Sequence, residues 1–341
     1  MRHYAGLDVS TKETAICVLD QEGRRTWEGK VASDPTVIAR ALRWHAPCLE
    51  RACLETGPMA VWLWHSLKEQ GIPIDCVDAR HASAALRLQT NKTDRNDAYG
   101  LAMLVRSGWY SPVPMRSLET HKTRALLAIR NQLVGMCTSL INKIRGLSKT
   151  FGFVVGAGKG NGFHASVRRG LSDDPLICEL FEGLLETLAT LQRRRRSLDR
   201  KLAAMARQSA VCRILTTVPG VGPVTAVSYM STIEDPTRFR RSADVGAYLG
   251  LTPVRYQSGE VDIGGRISKR GDRLTRKLLF EAATVILFRF RGNLALKRWA
   301  ERIAARAGSW KARVALARKL ATILHRMWIE QTPFIAHEAN A

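Results

Sequence analysis

The sequence predicts an α/β domain at the amino terminus, followed by two mainly helical regions. Three observations support this division. Strand-like and helix-like segments alternate over residues 4–106, which favours a layered α/β fold. Apolar residues recur at every third or fourth position over much of 118–210, which marks the apolar stripe of long helices. Beyond residue 211, short helical segments alternate with glycine-rich turns.

The amino-terminal region, residues 1–117, begins with two strands joined by a short turn (4–20) and a third, more polar strand, TWEGKVAS. Opening hairpins followed by alternating helices and strands resemble the element order of an RNase H-like domain. The later predicted elements are a helix beginning at Asp34-Pro35, a strand at 49–56, a helix after Pro58, a strand at 73–79 and a helix from about Thr93 to Arg106.

The middle region, residues 118–210, predicts two long amphipathic helices of the antiparallel or intermolecular coiled-coil type. A glycine-rich loop at 151–166, FGFVVGAGKGNGFHAS, separates them. It is not a P-loop, because no strand leads into a GxxxxGK[ST] pattern.

The third region spans 211–330 and is followed by a tail at 331–341. Within it, 214–233 indicates two helices around a PGVGP turn, as in a helix-hairpin-helix-like unit. Backbone N–H groups at Gly220 and Gly222 could then contact a DNA phosphate, although a plain helical hairpin would give the same pattern. A short helix, the segment 251–272 and two terminal helices ending near Met327 complete the prediction.

The charge balance indicates a polyanionic partner. Lys and Arg number 53 against 30 Asp and Glu, a formal net charge of +23. Nucleic acid explains such an excess through phosphate neutralisation, whereas a generically basic protein such as a ribosomal component is the alternative. Seven residues around the segment 251–272 are candidate nucleic-acid contacts, and a solvated surface accounts for some of them. They are Arg255, Arg266, Lys269, Arg270, Arg273, Arg276 and Lys277.

The start of the chain, MRHYAGLDVS, lacks an apolar signal core, and no apolar run is long enough to cross a bilayer. We therefore expect a cytoplasmic protein with no membrane partner.

Four acidic residues are candidates for metal chemistry: Asp8, Glu55, Asp94 and Asp97. Asp8 lies on the first strand, Glu55 ends a later strand, and the two aspartates share one face of a helix. Carboxylates placed together repel one another unless a cation neutralises them, and hard oxygen ligands suit Mg²⁺ or Mn²⁺. Two such ions can stabilise the attacking and leaving oxygens of a phosphodiester transfer. Each acid alone is more typical of a solvated surface, so the prediction depends on their joint placement.

The motifs GLDVS, LETGP and NKTDRNDA, with TVPGVGPVTA and GLTPVRYQSGEVDIGGRISKRGD, resemble those of the DEDD transposases of bacterial insertion sequences, the IS110 family with its Piv-type invertases. The resemblance covers roughly 4–330. It implies a RuvC-like domain, a coiled-coil region and a carboxy-terminal transposase domain. It also implies that the four acids bind the metal.

The same resemblance implies that Ser258, in RYQSGE, is a nucleophile that forms a covalent phosphoserine in a composite site with the acids. By itself, Ser258-Gly259 is simply a turn dipeptide. The family further implies a noncoding guide (bridge) RNA that pairs with donor and target DNA. Strand exchange and leucine-spaced helices favour a homo-oligomer, from dimer to tetramer.

Three functions remain open at this point. The first is site-specific DNA transposition or recombination with a serine nucleophile and the acidic cluster. The second is a metal-dependent, RuvC-like Holliday-junction nuclease in which Ser258 is structural. The third is a non-catalytic nucleic-acid-binding protein.

Overall fold

The computed structural model describes residues 1–79, 82, 93–156, 160–171, 174–259, 261–292 and 294–335. Parts of two predicted segments, 157–159 of the glycine-rich loop and 336–341 of the tail, lie outside the described residues. The chain forms two compact units, Met1–Arg116 and Ser117–Ala341.

The first unit is built on a five-stranded sheet with the order β3-β2-β1-β4-β5. Strands β1, β2 and β3 pair antiparallel, whereas β4 lies parallel to both β1 and β5. The strands are β1 (His3–Val9), β2 (Glu13–Leu19), β3 (Arg25–Ala32), β4 (Leu49–Glu55) and β5 (Ile74–Val77).

Helices cover both faces of this sheet. On one face, α1 (Pro35–His45) and α2 (Ala60–Glu69) share a core with Leu7 and Leu54. On the other face, α3 (Asp94–Ser107) packs against alternate residues of β2 and β4, including Cys17 and Cys53. This mixed α/β arrangement is compatible with the RNase H-like fold class predicted for the region. Because side chains alternate between the two faces of a strand, Asp8 faces α3, whereas Leu7 faces α1 and α2.

The second unit begins with two long helices, α4 (Leu118–Thr150) and α6 (Pro175–Gln208). They run antiparallel, because Arg130 bonds Asp199 at 2.8 Å near one end while the Phe151 and Phe181 rings lie 6.0 Å apart at the other. Between them comes α5 (Asn161–Gly170), so the glycine-rich loop is shorter than predicted. Two buried residues of α5, Phe163 and Val167, pack into the core between the long helices.

The rest of this unit is mainly helical, with two departures from the prediction. Segment 251–272, for which the sequence predicts no element, contains a β-hairpin, and among the described residues three helices follow it where two are predicted. The third arises because Gly308, with φ at 86°, ends one helix before Ser309 starts the next. The elements are α7 (Ala210–Leu215), α8 (Pro223–Ile233), α9 (Asp244–Tyr248), β6 (Pro253–Ser258), β7 (Val261–Ile267), α10 (Arg273–Phe288), α11 (Ala295–Ala307) and α12 (Ser309–Glu330).

Two buried polar side chains of this helical core, Tyr229 and His325, are hydrogen-bonded. The Tyr229 hydroxyl donates to the Ala321 carbonyl at 2.7 Å, and the His325 ring lies 2.9 Å from both Ser242 Oγ and the Pro236 carbonyl. Among the described helices, none is both long and apolar enough to cross a bilayer.

Candidate active site

Two of the predicted acids lie at the ends of neighbouring strands. The parallel pairing of β1 and β4 matches Gly6 with Cys53 and Leu7 with Leu54, and the next residues are Asp8 and Glu55. Cys53 packs against α3, so Glu55, two residues further along the strand, faces the same side. The fold therefore places Asp8 and Glu55 directly after the last matched pair of the two strands, both on the α3 face.

Helix α3 carries the other two acids onto that face. It approaches β1 so closely that a Cβ atom on Gly6 would lie 2.1 Å from the Ala98 carbonyl oxygen. Asp94 lies one turn before Ala98, and Asp97 is also in the first turn of α3. All four acids are therefore on one side of the sheet in the first unit. Asp94 is exposed, and the other three are half-buried.

A lysine that the sequence analysis did not single out contacts this group. Register across the sheet aligns Asp8 with Ala15 and Ala15 with Lys30, so Lys30 also faces α3. Its Nζ donates a hydrogen bond to Asp94 Oδ2 at 2.6 Å. This bond lowers the pKa of Asp94 and raises the pKa of Lys30. The negative charges of nearby acids, Asp8 included, also raise the pKa of Lys30. The alternation of β3 could have indicated the face, but the pairing with Asp94 depends on tertiary packing.

The donor set suits a hard divalent cation, since carboxylate oxygens are the preferred ligands of such ions. The common side and the adjacent strand ends also fit such a site. However, among the residues that the structure describes, no three His, Cys, Asp or Glu side chains are grouped closely enough to hold an ion. The four acids therefore lie on one face without forming a closed coordination site, and Asp94 is ion-paired with Lys30.

Ser258 belongs to the second unit, where it is the last residue of β6 and is exposed. It pairs with Val261 across a tight turn in which Gly259 has a left-handed φ of 57°. Tyr256 and Ile263, another opposed pair, share its face of the hairpin and are 64% and 59% exposed. The serine hydroxyl therefore stands at the tip of an exposed two-stranded ribbon.

The base of this ribbon is fixed by close backbone packing. A Cβ atom on Gly271 would lie 2.0 Å from the Tyr248 carbonyl oxygen, at a φ of 79°. Arg276 donates from Nη1 to the carbonyls of Leu249 (2.8 Å) and Arg270 (2.9 Å). Although Arg276 is a predicted nucleic-acid contact, the structure uses it to hold the hairpin base.

The other predicted contacts differ in how accessible they are. Arg255 bonds Asp262 across the hairpin at 2.7 Å, so its charge is already partly neutralised. A Cβ atom on Gly220 would lie 2.7 Å from the Ala282 carbonyl, so packing against α10 explains this glycine. Gly222, directly before α8, has open space around it. The remaining predicted cations are exposed: Arg266, Lys269, Arg270, Arg273 and Lys277.

Comparison with known proteins identifies relatives along most of the chain. A DEDD-type transposase family model matches residues 5–151, and a model described as the transposase IS116/IS110/IS902 family matches 212–300. The transposase for insertion sequence element IS1111A from Coxiella burnetii is 28% identical over 336 residues, which cover 96% of this chain and 90% of that protein.

Two further relatives are similar over shorter lengths. The transposase for insertion sequence element IS1328 from Yersinia enterocolitica is 28% identical over 72% of this chain and 73% of its own. The pilin gene-inverting protein of Moraxella lacunata is 28% identical over 36% of this chain and 38% of its own.

Proposed function

We propose that this chain, which belongs to the IS110 family of DEDD transposases, cuts and exchanges DNA strands with Ser258 as its nucleophile. Its relatives are transposases and recombinases, so the chain is a DNA-cleaving and rejoining enzyme. Enzymes of the DEDD class generally depend on a metal ion.

The observation that carries the proposal is the placement of Asp8 and Glu55 directly after the last matched pair of β1 and β4, with the first turn of α3 on the same side. We propose that these two acids, with Asp94 and Asp97, hold Mg²⁺ or Mn²⁺. When bound, such an ion would stabilise the negative charge that develops on the phosphate oxygens. The carboxylates themselves would orient the ion and offset its charge.

In the proposed step, Ser258 Oγ attacks a DNA phosphorus, and an Oγ–P bond forms as the bond from phosphorus to the leaving strand oxygen breaks. The leaving oxygen takes up a proton, and the serine hydroxyl loses one. Attack by a hydroxyl of the exchanged strand then reverses the step and frees Ser258. The exposed position of Ser258 at the hairpin tip supports this role, because a DNA backbone can reach it.

The sequence 253–267 contains no histidine, and Asp262, a carboxylate among the described hairpin residues, accepts from Arg255 on the face opposite to Ser258. The proton acceptor would then come from outside the hairpin. We propose that the acidic cluster supplies this function, from the same chain or from another copy in a dimer or tetramer.

We further propose that a noncoding bridge RNA selects the donor and target DNA. The net charge of +23 and the exposed cations near the hairpin support this, because they suit phosphate contacts more than base-edge contacts. A protein whose target is selected by base pairing with an RNA needs phosphate contacts more than base-edge contacts.

The test is Ser258→Ala, with Ser268→Ala as a matched control just beyond β7. We expect Ser258→Ala to abolish both strand cleavage and a covalent protein–DNA adduct on a denaturing gel, while Ser268→Ala retains both. Metal-dependent cleavage by the Ser258→Ala protein would instead indicate the Holliday-junction nuclease. An Asp8→Ala protein with every activity unchanged would instead favour the non-catalytic nucleic-acid-binding protein.

A further inference from the structure

We propose that an aromatic cluster on α10 and α12 binds the unpaired bases of single-stranded nucleic acid. The cluster consists of Phe280, Phe288, Trp310 and Arg313, all in the second unit. The inference rests on the proposed function only in taking nucleic acid as the substrate class, and it involves neither Ser258 nor the acids.

The rings are arranged around one guanidinium group. Trp310 stacks on Phe280 with ring centroids 5.5 Å apart and an interplanar angle of 23°. The Arg313 Cζ lies 4.1 Å from the Trp310 centroid, 4.9 Å from Phe280 and 5.7 Å from Phe288. A hydrogen bond of 3.2 Å from Arg313 Nε to the Ser309 carbonyl fixes the group. Three π–cation contacts therefore hold a planar cation against aromatic rings on two helices.

Despite these contacts, the cluster is open to solvent. Trp310 is 69% exposed and Phe288 is 59% exposed, whereas Trp328 at the other end of α12 is 8% exposed. Large aromatic side chains release most free energy when their apolar faces are covered. A pre-stacked, accessible indole beside an immobilised guanidinium therefore offers a surface for another planar ring.

The charged residues around the cluster indicate which class of molecule carries that planar ring. Arg289 follows Phe288 and Lys311 follows Trp310, and both cations are exposed. Lys277, one turn before Phe280 on α10, is also exposed but lies 3.8 Å from Glu281, so its charge is partly neutralised. Such cations attract a polyanion, while the rings stack on its bases. In duplex DNA the bases are already stacked on one another, so the cluster should select unpaired nucleotides, as single-strand-binding surfaces do.

The experiment measures fluorescence anisotropy with a labelled single strand of about 12 nucleotides, made as DNA and as RNA, and with the matching duplex. It is run with a Ser258→Ala chain in EDTA, so that no cleavage occurs. We expect Trp310→Ala to weaken single-strand binding roughly 5- to 100-fold and to leave duplex binding within about twofold. A larger loss with one sugar type identifies RNA or DNA as the preferred strand.

Three variants serve as controls. Trp44→Ala removes a tryptophan that is 81% exposed in the first unit, and it should bind as the parent chain does. Trp310→Phe keeps a stacking ring and should recover most of the affinity. Lys311→Ala should flatten the slope of log affinity against log salt by about 1, whereas Trp310→Ala should leave that slope unchanged.

Equal single-strand affinity of the Trp310→Ala and Trp44→Ala chains would overturn the proposal. So would a Trp310→Ala chain that melts at the parent temperature but loses affinity equally for single strand and duplex. A change in sedimentation without a change in oligonucleotide binding would identify the cluster as a protein interface instead. These binding measurements need no strand transfer. A negative binding result therefore does not contradict the role of Ser258 as nucleophile, and loss of that role would not contradict single-strand binding by the cluster.

Discussion

The acid-bearing strand ends of the first unit and the serine-bearing hairpin of the second are built in opposite ways. Asp8 and Glu55 follow Leu7 and Leu54, which are fully buried in the sheet core. The hairpin residues around Ser258 are exposed, and their positions depend on a turn and a tightly packed base. The acids thus directly follow buried strand residues, whereas Ser258 lies on an exposed ribbon that is held at its base.

The largest expected effect tests the chemical half of this comparison. Asp8→Asn keeps the side-chain shape but removes a charge that would offset a bound cation, so we expect strand cleavage to fall roughly 100-fold or more. Cleavage of a labelled substrate at saturating DNA measures it. Glu22→Gln, which removes an exposed turn acid of the same unit, should cleave normally. Equal rates for the two variants would remove Asp8 from the site.

The next effect tests the structural half. Gly6→Ala would place a methyl group 2.1 Å from the Ala98 carbonyl and 2.4 Å from the Ala102 nitrogen, both of them backbone atoms that cannot rotate away. We expect the free energy of unfolding to fall by about 1–3 kcal/mol, because α3 must shift off β1. The urea midpoint measures this loss.

Two other glycines serve as controls for that prediction. Gly57→Ala in the first unit and Gly264→Ala in the hairpin would both add a methyl group to open space. We expect both midpoints to stay close to the parent value. A Gly6→Ala midpoint equal to theirs would mean that α3 is not packed closely on β1.

This contrast also explains what the sequence could predict. Buried strands and amphipathic helices leave strong periodic patterns, so the alternation that places Asp8 and Glu55 was readable. The sequence does not clearly predict the hairpin, although SGE lies between alternating apolar residues, because arginine and glycine interrupt the alternation in the two exposed strands. Contacts between distant segments, such as Lys30 with Asp94 or Phe280 with Trp310, leave no local signal.

The smallest effects concern one exposed ion pair in each region, Lys30 with Asp94 and Arg255 with Asp262. In both, a hydrogen bond from the cation lowers the pKa of the carboxyl group. Because the folded-state pKa is depressed, any stability from each pair is present above the unfolded carboxyl pKa of about 3.9 and is lost as pH falls through the folded pKa. We expect Lys30→Met and Arg255→Gln to raise the pKa of Asp94 and Asp262, respectively, as followed by carboxyl-carbon NMR.

Addition of Mg²⁺ should then separate the two pairs. If Asp94 is a metal ligand, the ion competes with the Lys30 ammonium for the same oxygens, so Mg²⁺ should shift the Asp94 carboxyl resonance and bind more tightly to the Lys30→Met chain. Asp262, already paired with Arg255 on the hairpin, should respond only to ionic strength, as NaCl at matched ionic strength would show. Shifts of equal size at Asp94 and Asp262 would mean that the ion only screens charge, and the proposed metal site would then have to exclude Asp94.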